Sequence, residues 1–146
     1  MKNNDNALFY TCSLIEYIAR VTKNDRGLVV NLMGTDVERV YKYSDVFHCE
    51  PIAKVADDFI TRNGIPTGNF DNIKLCRYEV PDYWDIGEVF ARLISDCYAE
   101  NEILSGISDV YNSWFAKQIL NFNSDLYYQS REYLAECYRS GHIIAA

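Results

Sequence analysis

One of the two histidines in the chain, His48, is followed directly by Cys49, and Pro51 fits the first turn of a helix that begins shortly afterwards. A thiol near a helix N-terminus is favoured as the thiolate by the amide dipoles, and an adjacent imidazole can have the same effect. The pair could therefore serve as a nucleophile or redox thiol in a small enzyme. The alternative is a turn between helices in which Cys49 points inward and His48 packs or caps. Because no second catalytic motif occurs, we favour the turn.

A metal site would have to use both histidines, His48 and His142, together with Cys49 and Asp45. Asp45 and His48 are three residues apart and could share one face of a helix. The two histidines are far apart in the chain and no CxxC pair occurs, whereas zinc ligands are usually closely spaced. We therefore predict no metal and no other cofactor.

Acidic residues recur at every third position in one stretch: Glu79, Asp82, Asp85 and Glu88. Paired carboxylates do acid–base work only in a pocket that shifts their pKa values. The pattern is more typical of the solvated start of a helix that Asp82 caps. The same acids could also form a patch that binds a basic protein.

Aromatic residues are frequent, with twelve tyrosines, seven phenylalanines and two tryptophans. Both tryptophans and the tyrosines at 127, 128, 133 and 138 could form a recognition surface, since aromatic anchors are favoured at interfaces. The alternative is a place in the core for the tryptophans and at its boundary for the tyrosines. The candidate binding residues are Tyr41, Asp45, His48, Trp84, Asp85, Glu88, Tyr111, Trp114 and Phe115.

Apolar residues at helical spacing predict that helices position most of these side chains. Within residues 1–63 we predict four helices, which begin at Asp5, Asp25, Thr35 and Pro51. The third has the clearest start, because Thr35 and Glu38 match a capping box in which the threonine hydroxyl accepts the Glu38 amide. On the first helix, Glu16 and Arg20 form a favourable pair four residues apart.

Residues 64–81 are predicted to connect this N-terminal helical group to a C-terminal group at 82–146. Two glycines and a proline at 64–73 argue against regular structure. Residues 73–80 alternate loosely, but a lone strand would have no partner, so we favour an extended segment or one helical turn.

The C-terminal group is predicted to begin with an amphipathic helix that Asp82 caps, followed by a long helix from about Glu102 to Phe122 and a last short helix. The long helix has the widest apolar stripe in the chain, wider than a helix packed on one side needs. We therefore expect a homodimer with Tyr111, Trp114 or Phe115 near the contact. The whole chain is predicted to be all-α, with six or seven helices in one compact helical domain of two packed halves.

The formal net charge is −7 and is unevenly distributed, since residues 71–146 contain twelve acids against six bases. Such a surface repels nucleic acid and anionic membranes, and it suits a basic protein. No apolar run approaches the roughly 20 residues that span a bilayer, and the N-terminus has no signal-peptide pattern. We expect a cytoplasmic protein whose five cysteines are free thiols.

A set of short segments lies between residues 8 and 60: Phe9, Ile15-Glu16-Tyr17-Ile18-Ala19, Val29-Val30 and Tyr41-x-x-Ser44-Asp45-Val46-Phe47-His48. With these segments the chain resembles a small uncharacterised bacterial helical family. Members of that family are encoded beside ADP-ribosyltransferase-like proteins in operons that resemble toxin–antitoxin pairs. The family offers no catalytic residues to transfer. The resemblance implies an accessory or neutralising protein rather than an enzyme, with a toxin-like protein as its partner.

We therefore predict a protein-binding accessory protein, antitoxin-like or regulatory, that masks a basic protein partner. The alternative is a small enzyme that uses Cys49 and His48 in thiol or acid–base chemistry. An enzyme should hold an exposed Cys49 in a concave pocket, whereas a binding module should expose an acidic or aromatic patch.

Overall fold

The computed structural model describes residues 5–145, which form ten α-helices and two 3-10 turns (Glu100–Glu102 and Leu126–Tyr128) without any strand. The helices are α1 (Asp5–Thr22), α2 (Arg26–Met33), α3 (Asp36–Lys42), α4 (Ser44–Phe47), α5 (Ile52–Asn63), α6 (Asn72–Leu75), α7 (Tyr83–Cys97), α8 (Ile103–Tyr111), α9 (Trp114–Ile119) and α10 (Arg131–Ser140). The all-α prediction is confirmed. None of these helices is both long enough and apolar enough to cross a bilayer.

The predicted count of six or seven helices is too low. Two of the additional helices, α4 and α6, are single turns of four residues each. The predicted long helix is also broken between α8 and α9, where Asn112 and Ser113 bond to carbonyl groups of the preceding turn. Short polar side chains compete in this way with continuation of a helix. The Ser113 hydroxyl then accepts the Ala116 amide at 3.2 Å, which caps a new helix.

Thr35 does not form the predicted capping box. A capping residue normally has an extended backbone, but Thr35 is already helical, with φ −65° and ψ −15°, and its side chain makes no capping bond. The preceding Gly34 makes the turn instead, at a φ of 53° that favours glycine. The cap predicted at Asp82 is confirmed, since its carboxylate accepts the Trp84 amide at 2.7 Å.

Helix α1 lies at the centre of the fold. It packs most extensively on α7 and also contacts α2, α3 and α5, and its residues 10–16 are all buried. Helix α8 packs on α2 and α7, and α10 packs on α7. Because α1 belongs to the predicted N-terminal group and α7 to the C-terminal group, the two groups share one core.

The two central helices approach closely at Gly87 of α7, which lies against Ser13 of α1. A Cβ atom on Gly87 would be 2.2 Å from the Ser13 Oγ, and 2.7 and 2.8 Å from its Cα and N atoms. Glycine therefore lets α7 approach until it touches the backbone of α1.

A fully buried ion pair joins Glu16 of α1 to Arg26 of α2. Arg26 donates to both carboxylate oxygens, at 2.8 and 2.6 Å, and Arg20 donates to one of them at 2.7 Å. Burial by itself would raise the pKa of Glu16, but the two guanidinium groups outweigh burial and hold that pKa below its ordinary value. The sequence indicates the local pair of Glu16 with Arg20 but not the pair with Arg26, which depends on how α1 meets α2.

Arg20 and Arg26, together with the neighbouring Asn24, whose carbonyl accepts a hydrogen bond from Arg26, form a polar cluster that anchors the connecting segment 64–81. Its hydrogen bonds to that segment run from Asn24 Nδ2 to the Pro66 carbonyl (2.7 Å), from Arg26 Nη2 to Asn72 Oδ1 (3.1 Å) and from Arg20 Nη2 to the Pro81 carbonyl (2.7 Å). The segment contains one helical turn, α6, which confirms the expectation for residues 73–80. It reaches the start of α7 as a well-anchored chain.

Candidate functional site

His48 and Cys49 lie on a turn between α4 and α5, as expected, but Cys49 is exposed, so the expectation that it points inward is wrong. Since α5 begins at Ile52, Cys49 does not occupy the first turn of that helix. The thiol donates to the Asp45 carbonyl at 3.3 Å, while the His48 ring packs against aromatic residues. Among the grooves that we describe in residues 5–145, none is lined by His48 or Cys49.

An aromatic cluster forms where α4, α1 and α7 meet, and it brings together two predicted binding residues, His48 and Trp84. Their ring centroids are 6.0 Å apart, and Tyr10 lies 5.1 Å from His48. The buried Tyr10 hydroxyl has no hydrogen-bond partner among the described residues. Burial, followed by the negative charge of Glu50, raises the pKa of Tyr10 to about 12. Tyr10 is buried in this cluster and Trp84 is half-buried, whereas His48 is exposed at its edge.

The three aromatic residues expected at a dimer contact do not share one surface. Tyr111 and Phe115 are 1% and 0% exposed, so they lie in the core, whereas Trp114 is 40% exposed. Tyr111 stacks on Phe90 with centroids 4.5 Å apart. The surplus apolar stripe is thus largely covered within the chain. The homodimer remains a prediction, and Trp114 is the one aromatic of the three that a second copy could contact.

The remaining residues of the first half do not form a site. Tyr41 is half-buried against the core, and the exposed Asp45 carboxylate accepts the amide of Val46 at 3.0 Å. No group of three or more histidine, cysteine or acidic residues within 5–145 is placed to hold a metal ion. His142 is exposed near the end of the described chain, where its Nδ1 lies 3.2 Å from the Ser140 carbonyl.

A groove at the start of α7 contains the acidic stretch found in the sequence. We call it the acid–tyrosine groove. It encloses about 530 Å³ and is lined by Arg20, Glu79, Val80, Pro81, Asp82, Tyr83, Asp85 and Tyr127. The connecting segment forms one wall and the 3-10 turn at 126–128 contributes Tyr127. Asp85 is in the predicted set of binding residues, and the sequence also indicates Glu79 and Asp82 as part of an acidic patch and Tyr127 as part of a recognition surface. That these residues share one groove is not predicted, because the groove joins segments that are distant in the chain.

The groove continues along α7 into a second section of about 320 Å³, which shares Pro81, Asp85 and Tyr127 with the first. Three apolar side chains line this section: Val89, Leu93 and Leu134. Its rim includes Glu88, another predicted binding residue, and Tyr128, which is 67% exposed. A third section of about 310 Å³ shares Glu88 and Arg92 with the second. The three sections are neighbours that share lining residues along α7, and we refer to them together as the channel.

The charges along this channel are not balanced. Its arginines are paired within the protein, since Arg20 contacts Glu16 at 2.7 Å, Arg92 contacts Glu88 at 3.4 Å and Arg131 contacts Asp96 at 2.8 Å. Within residues 5–145, the acids Glu79, Asp82 and Asp85 form no ion pair with any basic side chain. The first section therefore holds three carboxylates without an ion-pair partner beside one guanidinium, Arg20, whose partner Glu16 is shared with Arg26, and its net charge is negative.

Another groove of about 530 Å³ lies along α3 and α4, and its charges are more nearly balanced. Its two basic residues are already paired, Arg39 with Asp36 at 3.6 Å and Lys42 with Glu38 at 2.9 Å. It therefore offers no comparable excess of charge to a partner.

No protein-family model, curated protein or solved structure matches this chain.

Proposed function

We propose that this protein is a binding module whose acid–tyrosine groove takes a basic segment of a partner protein. Its role is accessory, antitoxin-like or regulatory, and binding masks the basic surface of the partner. The observation that supports this most is the set of three carboxylates, Glu79, Asp82 and Asp85, that line one groove without any basic partner from the described chain.

The groove is complementary to a basic segment in its charge and in its contact surface. Carboxylates in a concave surface with low-dielectric walls concentrate negative potential, which attracts cations and speeds their association. Tyrosine side chains beside them supply contact area at a small cost in conformational entropy. A basic peptide segment satisfies both features, whereas an acidic or phosphate-rich ligand is repelled.

The small-enzyme alternative has no comparable observation in its favour. Cys49 is exposed on a turn, and its thiol donates to the Asp45 carbonyl rather than lining one of the grooves of residues 5–145.

The test compares two variants with the same change in net charge. Glu79→Gln/Asp85→Asn removes two groove carboxylates. Glu100→Gln/Glu102→Gln removes two exposed carboxylates that follow the far end of α7, a helix of 15 residues and so about 22 Å long. The probe is a short labelled peptide that contains both arginine and lysine, and the readout is its Kd by fluorescence anisotropy at low and physiological ionic strength. For the antitoxin-like role, the product of the adjacent gene is mixed with the same variants.

We expect the groove variant to weaken binding by about 3-fold to 10-fold, the range for two exposed charge pairs, and the control to bind as the unmodified protein does. Equal losses in both variants would mean that net charge alone attracts the peptide, and the proposed groove would be wrong.

A further inference from the structure

We infer that the acidic section of the groove accepts an arginine side chain of the partner, in preference to lysine, and that an apolar residue of the same segment lies over Val89, Leu93 and Leu134. This inference rests on the proposed function and makes it more specific, because it names the residues that the partner must present. It follows from the ring positions, the free carboxylates and the spacing along α7.

Both tyrosines of the acidic section are held by edge-on contacts with other rings. Tyr83 meets Tyr17 at a centroid distance of 5.0 Å and an interplanar angle of 84°, and Tyr127 meets Phe122 at 5.6 Å and 74°. A ring held by its neighbours offers a fixed surface against which a planar guanidinium can stack. The ammonium group of lysine is compact and strongly hydrated, so it gains less from such a surface in an open groove.

Two arginines of the protein already combine the same groups around one shared carboxylate, that of Glu16. Arg20 bonds to the Glu16 carboxylate while its guanidinium lies 5.6 Å from the centre of the Phe122 ring. Arg26 bonds to the same carboxylate and lies 5.7 Å from the centre of the Phe70 ring. Each guanidinium thus has a carboxylate and an aromatic ring as neighbours.

The acid–tyrosine groove presents carboxylates and aromatic rings together, and its own guanidinium group, Arg20, is already bonded to Glu16 and to the Pro81 carbonyl. Asp85 and Glu79 can each accept two parallel N–H bonds from an arginine, a geometry that an ammonium group cannot reproduce. The groove is therefore complementary to arginine in shape, in charge and in hydrogen-bond pattern.

The spacing along α7 limits where the apolar residue of the partner lies. Val89 and Leu93 follow Asp85 by one and two helical turns, which is about 6 and 12 Å along the axis. An extended chain advances by about 3.3 Å per residue. The arginine and the apolar residue of a bound segment should therefore be about two to four positions apart.

The experiment uses three synthetic peptides that differ at one position, acetyl-Arg-Gly-Gly-Leu-Gly-amide and its lysine and glutamine analogues. Each is titrated into the full-length protein, and the amide signals of Asp85 and Tyr127 are followed by two-dimensional NMR. We expect the arginine peptide to bind about 3-fold to 10-fold more tightly than the lysine peptide, and the glutamine peptide to bind more weakly than both.

Tyr127→Leu should reduce the preference for arginine to about 1-fold to 2-fold while leaving salt-dependent binding of both basic peptides. Tyr43→Leu, at an exposed tyrosine outside the channel, is the matched control and should keep the preference. If Tyr127→Leu does not fold, the comparison of peptides on the unmodified protein still decides the question.

Equal affinity for the arginine and lysine peptides would overturn this inference and leave the proposed function intact. Absence of binding by either basic peptide, or equal binding of the glutamine peptide, would overturn both.

Discussion

At the scale of single residues, Glu16 is the ionisable group on which the fold depends most directly. Its carboxylate is buried between Arg26 and Arg20, and its pKa is held below the ordinary value. A depressed pKa in the folded state means that the folded protein binds its proton less readily than the unfolded chain does. The resulting stabilisation is complete above the unfolded pKa of about 4.3, and it is lost as the pH falls through the folded value.

We therefore expect the free energy of unfolding to decrease as the pH is lowered below about 4.3, measured by urea unfolding in a series of acidic buffers. Glu16→Gln should lower stability by about 3 to 5 kcal/mol at neutral pH, because it leaves Arg26 buried without its counter-ion. If this variant folds, its stability should depend less on acidic pH than that of the unmodified protein. An unchanged pH dependence would show that Glu16 is not the group responsible.

The reactivity of Cys49 can be compared with that of the buried cysteines. It is exposed, whereas Cys12 and Cys137 are buried and burial raises the pKa of the Cys12 thiol to about 12. We expect iodoacetamide to modify Cys49 first under native conditions, and Cys12 only after unfolding, as measured by mass spectrometry of the intact protein and its peptides. Cys49→Ser should remove the first adduct. A reaction at Cys49 much faster than that of a free cysteine peptide would instead favour the small-enzyme alternative.

At the scale of helices, the contact between Gly87 and Ser13 sets the separation of α1 and α7. Gly87→Ala should destabilise the protein by about 1 to 3 kcal/mol, because the new methyl group would overlap the backbone of α1. The measurement is the midpoint of denaturant unfolding. Adding Ser13→Ala should not restore stability, since the Cα and N atoms of residue 13 remain in the way. Recovery in the double variant would place the clash at the serine hydroxyl and not at the backbone.

Ser113, which caps a helix, and Thr35, which does not, form a matched pair for a second test. Ser113→Ala should lower stability by about 1 kcal/mol, because the hydroxyl caps α9 at the break in the predicted long helix. Thr35→Ala should change stability by less than about 0.5 kcal/mol, because Thr35 makes no capping bond. The two unfolding midpoints, measured side by side, show whether α9 is a separate capped helix. Similar effects of both variants would contradict that description.

The helices that could be predicted from sequence are those with a regular apolar face and a strong local signal, such as α7 with its cap at Asp82. The break at Ser113 could not be predicted, because the apolar spacing continues through it. The predicted capping box at Thr35 is wrong although the residues match the pattern. Gly34 makes the turn before the helix, so Thr35 is already helical and its side chain does not cap.

At the scale of the whole molecule, the sequence reveals the acidic character of the second half but not the shape that concentrates it. The groove needs Tyr127 next to Glu79 and Asp85, and that proximity arises only when the connecting segment and the turn at 126–128 converge on α7. The pair of Glu16 with Arg26 is equally invisible in the sequence. Local periodicity therefore predicts the helices, while charge pairing across helices and surface shape depend on the tertiary arrangement.

The central position of α1 has a consequence for synthesis of the chain on the ribosome. The hydrogen bond from Arg20 to Pro81 spans 61 residues, and α7, the main packing partner of α1, follows Pro81. At a translation rate of roughly 5 to 20 residues per second, α1 waits about 3 to 12 s before α7 is made. During that interval α2, α3 and α5 can already pack on α1, but the face of α1 that packs on α7 has no final partner, and association with other nascent chains competes with folding. Chaperones that recognise exposed apolar segments should therefore bind this chain at α1 and release it once α7 has emerged.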